Sequence, residues 1–376
     1  MKSPAWTLPY AYLKKQFERP GTYLKKIEAV ARRGDFTLGK EVAVFEAQAA
    51  KILGVKHVIG VGNGTDALYL ILKALGIGVG DEVITAPNSF VATAAAIALT
   101  GARPVFADVR DDYTIDPACI QKVITKKTKA IIPVHLTGQP ADMKPIMAIA
   151  KRHHLAVVED VAQAFLARYG SKYLGTIGTA GAYSFHPMKI LHVWGDGGMI
   201  TTNDATLATK LKLWRNHGLK TRNEVEFFAH NSRLDTIHAA IASVLLPQMP
   251  GVVKKRRSLA VLYDRLLKPL AGHVHVPDRN LCTAPIVHTY TNYVVMAKRR
   301  DALITYLAKQ GIEAVIQYPT PIHLQKAARY LGYKKGDFPV CERQADTILT
   351  LPCHQYMTGR DVGQIVSVIQ KFYTKV

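Results

Sequence analysis

Lys189 stands at the end of Ser184-Phe185-His186-Pro187-Met188-Lys189, just ahead of the glycine-rich turn Gly195-Asp196-Gly197-Gly198. Upstream, an aliphatic stretch at 155–158 ends in Glu159-Asp160. An amine that can form a Schiff base and a carboxylate that can pair with a pyridinium nitrogen are what pyridoxal phosphate (PLP) chemistry requires. Apolar segments at 182–185 and 199–202 flank the lysine. It is therefore expected to be desolvated, which lowers its pKa toward the range useful for imine chemistry. The same amine could carry a proton between the substrate Cα and the cofactor carbon C4′ as general base and acid. Asp160 would hold the pyridinium charge, with a helix cap as its plainer role. Strand alternation turns Glu159 to the other face, where a structural role is expected. Gln163, on the following turn, could reach the cofactor's ring oxygen.

Gly62-Asn63-Gly64-Thr65-Asp66 follows a strand-like run and opens a helical one. Its glycines would let backbone N–H groups approach an anion at a helix N-terminus. The plainer reading is a strand-to-helix turn with Thr65 or Asp66 as N-cap. It lacks the Walker lysine and is not G-x-G-x-x-G, which excludes nucleoside-triphosphate and dinucleotide loops. Phe90, in Pro87-Asn88-Ser89-Phe90, could stack on a cofactor ring or simply join the core. His186 and His192 bracket the lysine, and either could be packed or touch substrate.

The elements that must position these groups alternate. Periodicity predicts a helix at 42–53 stopped by Gly54, then strands at 57–61, 82–86, 104–107, 130–134 and 155–159. Between them, helices are predicted at 66–74, 91–99, 117–124 and 143–153. This β-α-β rhythm argues for an α/β fold with a mostly parallel sheet covered by helices on both faces. Ligands of such sheets gather at the carboxyl ends of the strands, where the Gly62 loop and Asp160 fall. From Leu234 the pattern is helical, with Pro247 and Pro250 expected to break it before a second helix at 252–267. Residues 269–285 read as loop, 293–297 as strand, and 301–309 and 360–373 as helices. The division expected is a large PLP-binding domain with an N-terminal arm at 1–250 and a smaller C-terminal α+β domain at 251–376.

The chain has 376 residues, 48% of them hydrophobic and 20% charged, as in ordinary globular enzymes. No apolar run approaches a membrane span; the longest candidate, 91–99, is alanine-rich. The N-terminus Met1-Lys2-Ser3-Pro4-Ala5-Trp6 lacks a signal peptide's apolar core. Cys119, Cys282, Cys341 and Cys353 form no C-x-x-C pair, so neither a disulfide frame nor a metal site is expected, and a reduced cytoplasm is the simple reading. The net charge of +21 is unusual. Its basic clusters are scattered and carried by no nucleic-acid module. They would favour anionic small molecules over a nucleic-acid or membrane partner.

Gly62-Asn63-Gly64-Thr65-Asp66-Ala67-Leu68, Glu159-Asp160-Val161-Ala162-Gln163-Ala164, the Ser184–Lys189 run, Gly195-Asp196-Gly197-Gly198 and Asn231-Ser232-Arg233-Leu234-Asp235 occur in one order. With Phe36-Thr37-Leu38-Gly39 and Tyr318-Pro319-Thr320-Pro321-Ile322-His323, the chain resembles the DegT/DnrJ/StrS sugar aminotransferases over nearly its whole length. The resemblance implies a fold-type-I PLP enzyme, dimeric, with active sites at the subunit interface. It implies that Lys189 carries the cofactor as a Schiff base, Asp160 pairs with its ring nitrogen, Gln163 contacts the ring oxygen and Phe90 stacks. The amides of Gly64 and Thr65 and the Ser184 hydroxyl would hold the phosphate, and Asn231 would reach the phosphate of the neighbouring subunit's cofactor. Glutamate would donate an amino group in a ping-pong reaction, for transfer to a keto group of a nucleotide-linked sugar. A 3- or 4-keto-6-deoxyhexose on dTDP is the expected acceptor, with His186 and His323 as candidate substrate contacts. The chain departs from the family at His192, at Gln317 and at the two prolines, which bears on the sugar rather than the cofactor. A sugar dehydratase on the same fold has histidine in place of Lys189, and a regulatory or binding protein would be expected to have lost Lys189 or Asp160. Both residues are present.

Overall fold

Side-chain alternation with period two decides the layers of the molecule. Val58, Ile84, Ile131 and Val157 face one layer of helices, and Ile59, Val83, Ile132 and Val158 face the other. The computed structural model describes residues 6–374; the extreme N-terminus read above for a leader, 1–5, and the last two residues lie outside it. Seven strands form the central sheet in the order His57–Val61, Gly198–Thr202, Ala180–Ser184, Ala156–Asp160, Thr128–Ile132, Glu82–Thr85 and Arg103–Phe106. Gly198–Thr202 runs antiparallel to both its neighbours, and the remaining pairs are parallel. The mostly parallel sheet expected from the sequence is therefore present. Helices Lys40–Leu53, Met143–His153 and Thr236–Leu245 cover one face, and Gly64–Ala74 and Ala205–Trp214 the other.

Register brings three loops together. Val61 lies opposite Gly198, Gly198 opposite Ser184, and Asp160 opposite Ala182. Strands 57–61, 156–160 and 180–184 consequently end at one edge of the sheet, where ligands of open α/β sheets bind.

A second core lies on a three-stranded antiparallel sheet, Val274–His275, Tyr293–Ala297 and Ile348–Leu351, with helices Arg300–Lys309 and Gly359–Thr374. The helix Met249–Leu267 joins the two: Met249 and Val253 belong to the first core, Leu259, Tyr263 and Leu267 to the second. Two segments cross between them. Leu8 packs in the second core, whereas Ile322, Leu331, Phe338 and Cys341 pack in the first.

The prolines do not break the helical run as expected. It is continuous over Thr236–Leu270, with a 3-10 turn at Leu246–Gln248 and Pro250 in the first turn of the next helix. There the missing N–H has no helical acceptor to lose. By length and composition this run could also cross a membrane, but half of its most apolar stretch is buried inside the protein. It is a core helix shared by the first and second cores.

Candidate active site

The strand Ala156–Asp160 is buried along its length except at its first residue, and Asp160 ends it at 5% exposure. Burial pushes the Asp160 carboxyl above its usual range. Opposing this, Thr93 Oγ1 donates to Oδ2 at 2.8 Å, the Ala162 N–H donates to Oδ1 at 3.1 Å, and the Lys189 charge acts in the same direction. Thr93 is itself 2.8 Å from the Ser89 hydroxyl and sits one turn into the helix that Phe90 caps. Glu159 points the other way. Its carboxylate accepts the N–H groups of Gly175, Ile177 and Gly178 and lies 3.2 Å from His135 Nε2, the structural role that alternation predicts.

Lys189 follows the strand Ala180–Ser184, in a loop closed by the N–H of Val193 on the carbonyl of Phe185. Burial lowers the pKa of its amine and Asp160 opposes that shift, so each group moderates the other. His186 is exposed, and its imidazole is pushed down by partial burial and by Lys189. His192 is buried, with Nδ1 donating to the carbonyls of Lys189 at 3.0 Å and Ile190 at 3.2 Å. It is a packed histidine that braces the lysine loop.

Gln163 is buried with its amide oriented by its neighbours. Oε1 accepts the Thr137 N–H at 2.8 Å, and Nε2 donates to the Tyr318 hydroxyl at 3.3 Å. Phe90 is half exposed, its ring centre 5.6 Å from that of Tyr318. Asn292 Nδ2 also donates to Gln163 Oε1, at 3.4 Å, so Thr93, Thr137, Asn292 and Tyr318 join the surroundings of Asp160, Gln163 and Phe90, which the sequence singled out without them. Thr93 had a findable signal, one helical turn beyond Phe90. The others depend on long-range packing.

At the third loop the N-cap is Asn63, not Thr65 or Asp66: its Oδ1 accepts the Asp66 N–H at 2.8 Å. That leaves the first-turn N–H groups of Gly64 and Thr65 without helical acceptors. A Cβ on Gly64 would come within 2.7 Å of Ser184 Cβ, so glycine alone lets this helix start against the end of the lysine-bearing strand. Asn231 is exposed beside the Gly62–Asp66 turn of its own chain, and its side chain makes no hydrogen bond to the described residues. His323 is 2% exposed, with Nε2 3.0 Å from Glu342 and its ring edge-on to Phe338. In this chain it presents no face to solvent.

The residues fit PLP. A cradle of free helical N–H groups is kept open by the missing Cβ of Gly64, with the Ser184 hydroxyl beside it. A buried carboxylate and a desolvated lysine complete the donor set, with an aromatic face left half exposed. A seven-stranded doubly wound sheet with this constellation at its strand ends, followed by a small α+β domain, defines a fold-type-I PLP-dependent transferase. Within that class, the chain belongs to the DegT/DnrJ/EryC1/StrS aminotransferase family, which it matches over residues 20–370.

The chain is 43% identical to the "Pleiotropic regulatory protein" of Geobacillus stearothermophilus, over 97% of this chain and 98% of that one. It is 40% identical to the dTDP-3-amino-3,6-dideoxy-alpha-D-galactopyranose transaminase of Aneurinibacillus thermoaerophilus, over 93% and 96%. Among solved structures, DesV of S. venezuelae in complex with a ketimine intermediate superposes with a TM-score of 0.93 at 34% identity, covering 98% of this chain and 99% of that one. The chain is a PLP-dependent aminotransferase.

Proposed function

We propose that the enzyme takes an amino group from glutamate and transfers it, in a ping-pong reaction, to a keto group of a nucleotide-linked sugar. The acceptor proposed is a dTDP-linked 3- or 4-keto-6-deoxyhexose, and the working unit a homodimer in the cytoplasm. The observation that carries this reading is the pairing of a desolvated Lys189 with a buried Asp160 at adjacent strand ends. A dehydratase of this fold would have histidine at position 189, and a retired regulatory protein would not need both groups. The Aneurinibacillus transaminase supports a dTDP-sugar, and the charge of +21 suits a diphosphate-bearing substrate. The four free cysteines suit a reducing compartment.

Bound PLP would supply an electron sink for the carbon that loses its proton. The chain's own groups would do the rest. The Gly64 and Thr65 N–H groups and the Ser184 hydroxyl would hold the phosphate at the positive end of the helix. The Asp160 carboxylate would keep a proton on the ring nitrogen. Gln163 Nε2–H would donate to the ring oxygen, and Phe90 would cover one ring face. Lys189 Nζ would remove the proton from the substrate Cα as general base and give it back as general acid on the far side of the transferring nitrogen. Asn231 would serve the partner subunit's phosphate site, for which its exposure and lack of a bond in its own chain leave it free among the described residues. His186, exposed beside Lys189, is the proposed sugar contact; His323 could join it only by leaving Glu342. We also keep the division at 250/251 as a proposal, with the arm and residues 322–341 crossing it.

The test is the visible spectrum of the purified protein with PLP, before and after glutamate. A yellow band that bleaches establishes the donor half-reaction, and dTDP- and UDP-linked keto-sugars are then screened for restoring it. A band indifferent to glutamate would eliminate that donor, and no band at all would eliminate the Lys189 assignment.

A further inference from the structure

The N-terminal arm is bonded to one domain and reaches into the cofactor site of the other. The N–H groups of Thr7 and Leu8 donate to the Gly311 carbonyl at 2.9 and 3.0 Å, and the Glu313 N–H donates to the Leu8 carbonyl at 3.0 Å. Glu313 Oε2 accepts the Tyr10 N–H at 2.7 Å, and Leu8 is buried in the second core. The arm's backbone is therefore part of the small domain.

Its tyrosines act elsewhere. The Tyr12 hydroxyl donates to the backbone carbonyl of Lys189 at 3.1 Å, beside the bond that the same carbonyl accepts from His192. The Tyr12 ring is 4% exposed and packs edge-on to His192 and against His354. Beneath it, the Arg256 guanidinium lies 5.2 Å from the ring centre. Arg256 is 2% exposed and, among the described residues, bonds to neutral acceptors alone: the carbonyls of Tyr290, Thr291 and Cys353, and Gln355 Oε1. A buried cation without a carboxylate is costly unless hydrogen bonds and an aromatic face replace its hydration. Arg256 and the Tyr12 ring consequently fix one another.

Tyr10 works through a relay of donors and acceptors. Its hydroxyl donates to Asn292 Oδ1 at 2.6 Å, which turns Asn292 Nδ2 toward Gln163 Oε1 at 3.4 Å. Gln163 Oε1 already accepts from Thr137, so a second donor there leaves only Nε2–H to face Tyr318 and the ring site.

We propose that the arm is a positioning element of the cofactor site: Tyr12 holds the backbone of Lys189, and Tyr10, through Asn292, fixes which end of Gln163 faces the cofactor. The proposal rests on the roles given above to Lys189 and Gln163. Through it, the orientation of the cofactor depends on contacts made by the small domain.

Tyr12→Phe in the full-length protein keeps the ring over Arg256 and removes only the donor. Three readouts separate positioning from mere stability: the PLP dissociation constant, the visible circular dichroism per bound cofactor, and the melting temperature of the apo-protein. The variant is expected to bind PLP about three- to tenfold more weakly, the size of one hydrogen bond. Its dichroism per bound cofactor should fall while the apo melting temperature stays within a few degrees of wild type. Glu313→Ala, which unhooks the arm at the Tyr10 N–H without touching either tyrosine ring, should change the dichroism in the same sense and carries the test should Tyr12→Phe not fold. A wild-type yellow band with affinity and dichroism unchanged in the variants overturns the role of the arm alone. A wild type with no band overturns the Lys189 assignment, and the proposal with it.

Discussion

The carboxylate proposed to pair with the cofactor's ring nitrogen is placed where burial opposes its charge, and the hydroxyl of Thr93 counters that burial. Burial favours the protonated form of Asp160, whereas the Thr93 and Ala162 hydrogen bonds stabilise the anion. Removing a donor to the charged form raises the carboxyl pKa further. Thr93→Val, nearly isosteric, should therefore move the acid limb of the kcat/KM profile to higher pH, with smaller losses well above that limb. A pH-rate comparison with wild type decides it, and an unmoved limb would mean that Thr93 does not govern Asp160 ionisation. Lys189 shows the complementary sign. Its folded pKa lies below the ordinary 10.5, so between the two values the unfolded chain binds more protons. Apo-protein stability contributed by this residue accordingly rises with pH through that window.

The helix Gly64–Ala74 depends on a missing atom. Its first turn meets the end of strand Ala180–Ser184 so closely that a Cβ at Gly64 would sit 2.7 Å from Ser184 Cβ, and neither backbone element can yield easily. Gly64→Ala should cost about 1–3 kcal/mol of stability, as overpacking generally does. It should also weaken PLP binding more than that loss alone implies, because the N–H groups proposed to hold the phosphate move with the helix. Denaturant melts and a PLP titration measure the two effects separately; wild-type PLP affinity would show that these amides do not form the cradle. Elements of this kind were legible where sequence period and burial agree. The strand 57–61, the helices 91–99 and 143–153 and the strand 293–297 lie where periodicity puts them, because each has one clear apolar face or is buried throughout. The helix Gly21–Arg33 is not among the elements that periodicity predicts above, although Tyr23, Ile27 and Val30 are spaced to share one face. Pro247 and Pro250 misled in the opposite direction, since a 3-10 turn and a first-turn position absorb both. In the candidate site, the burial of Asp160 at a strand end and the apolar surroundings of Lys189 could be read from local context. The Tyr10, Tyr12 and Asn292 contacts could not, because each joins residues more than 100 positions apart.

At the scale of the whole molecule, the distribution of exposure bears on how many chains make one site. Asn231 is exposed, its side chain bonded to none of the described residues, and Phe228, three residues earlier, is 98% exposed just after the hairpin of strands Leu219–Thr221 and Glu224–Val225. A symmetric dimer would place each copy's segment against the other's cofactor site, giving two identical composite sites. Two inactive variants then test each other. Lys189→Ala removes the amine, and Asn231→Ala removes the contact supplied across the interface. In a mixed dimer both defects fall in one site, and the other site has Lys189 from one chain and Asn231 from its partner. Random reassortment makes half the dimers mixed, each with one intact site of two, so activity should recover to roughly one quarter of wild type. Self-contained sites predict no gain over the average of the two parents. The same experiment fixes the role of Asn231, because a residue serving its own chain's phosphate loop could not be rescued by a partner that lacks the lysine.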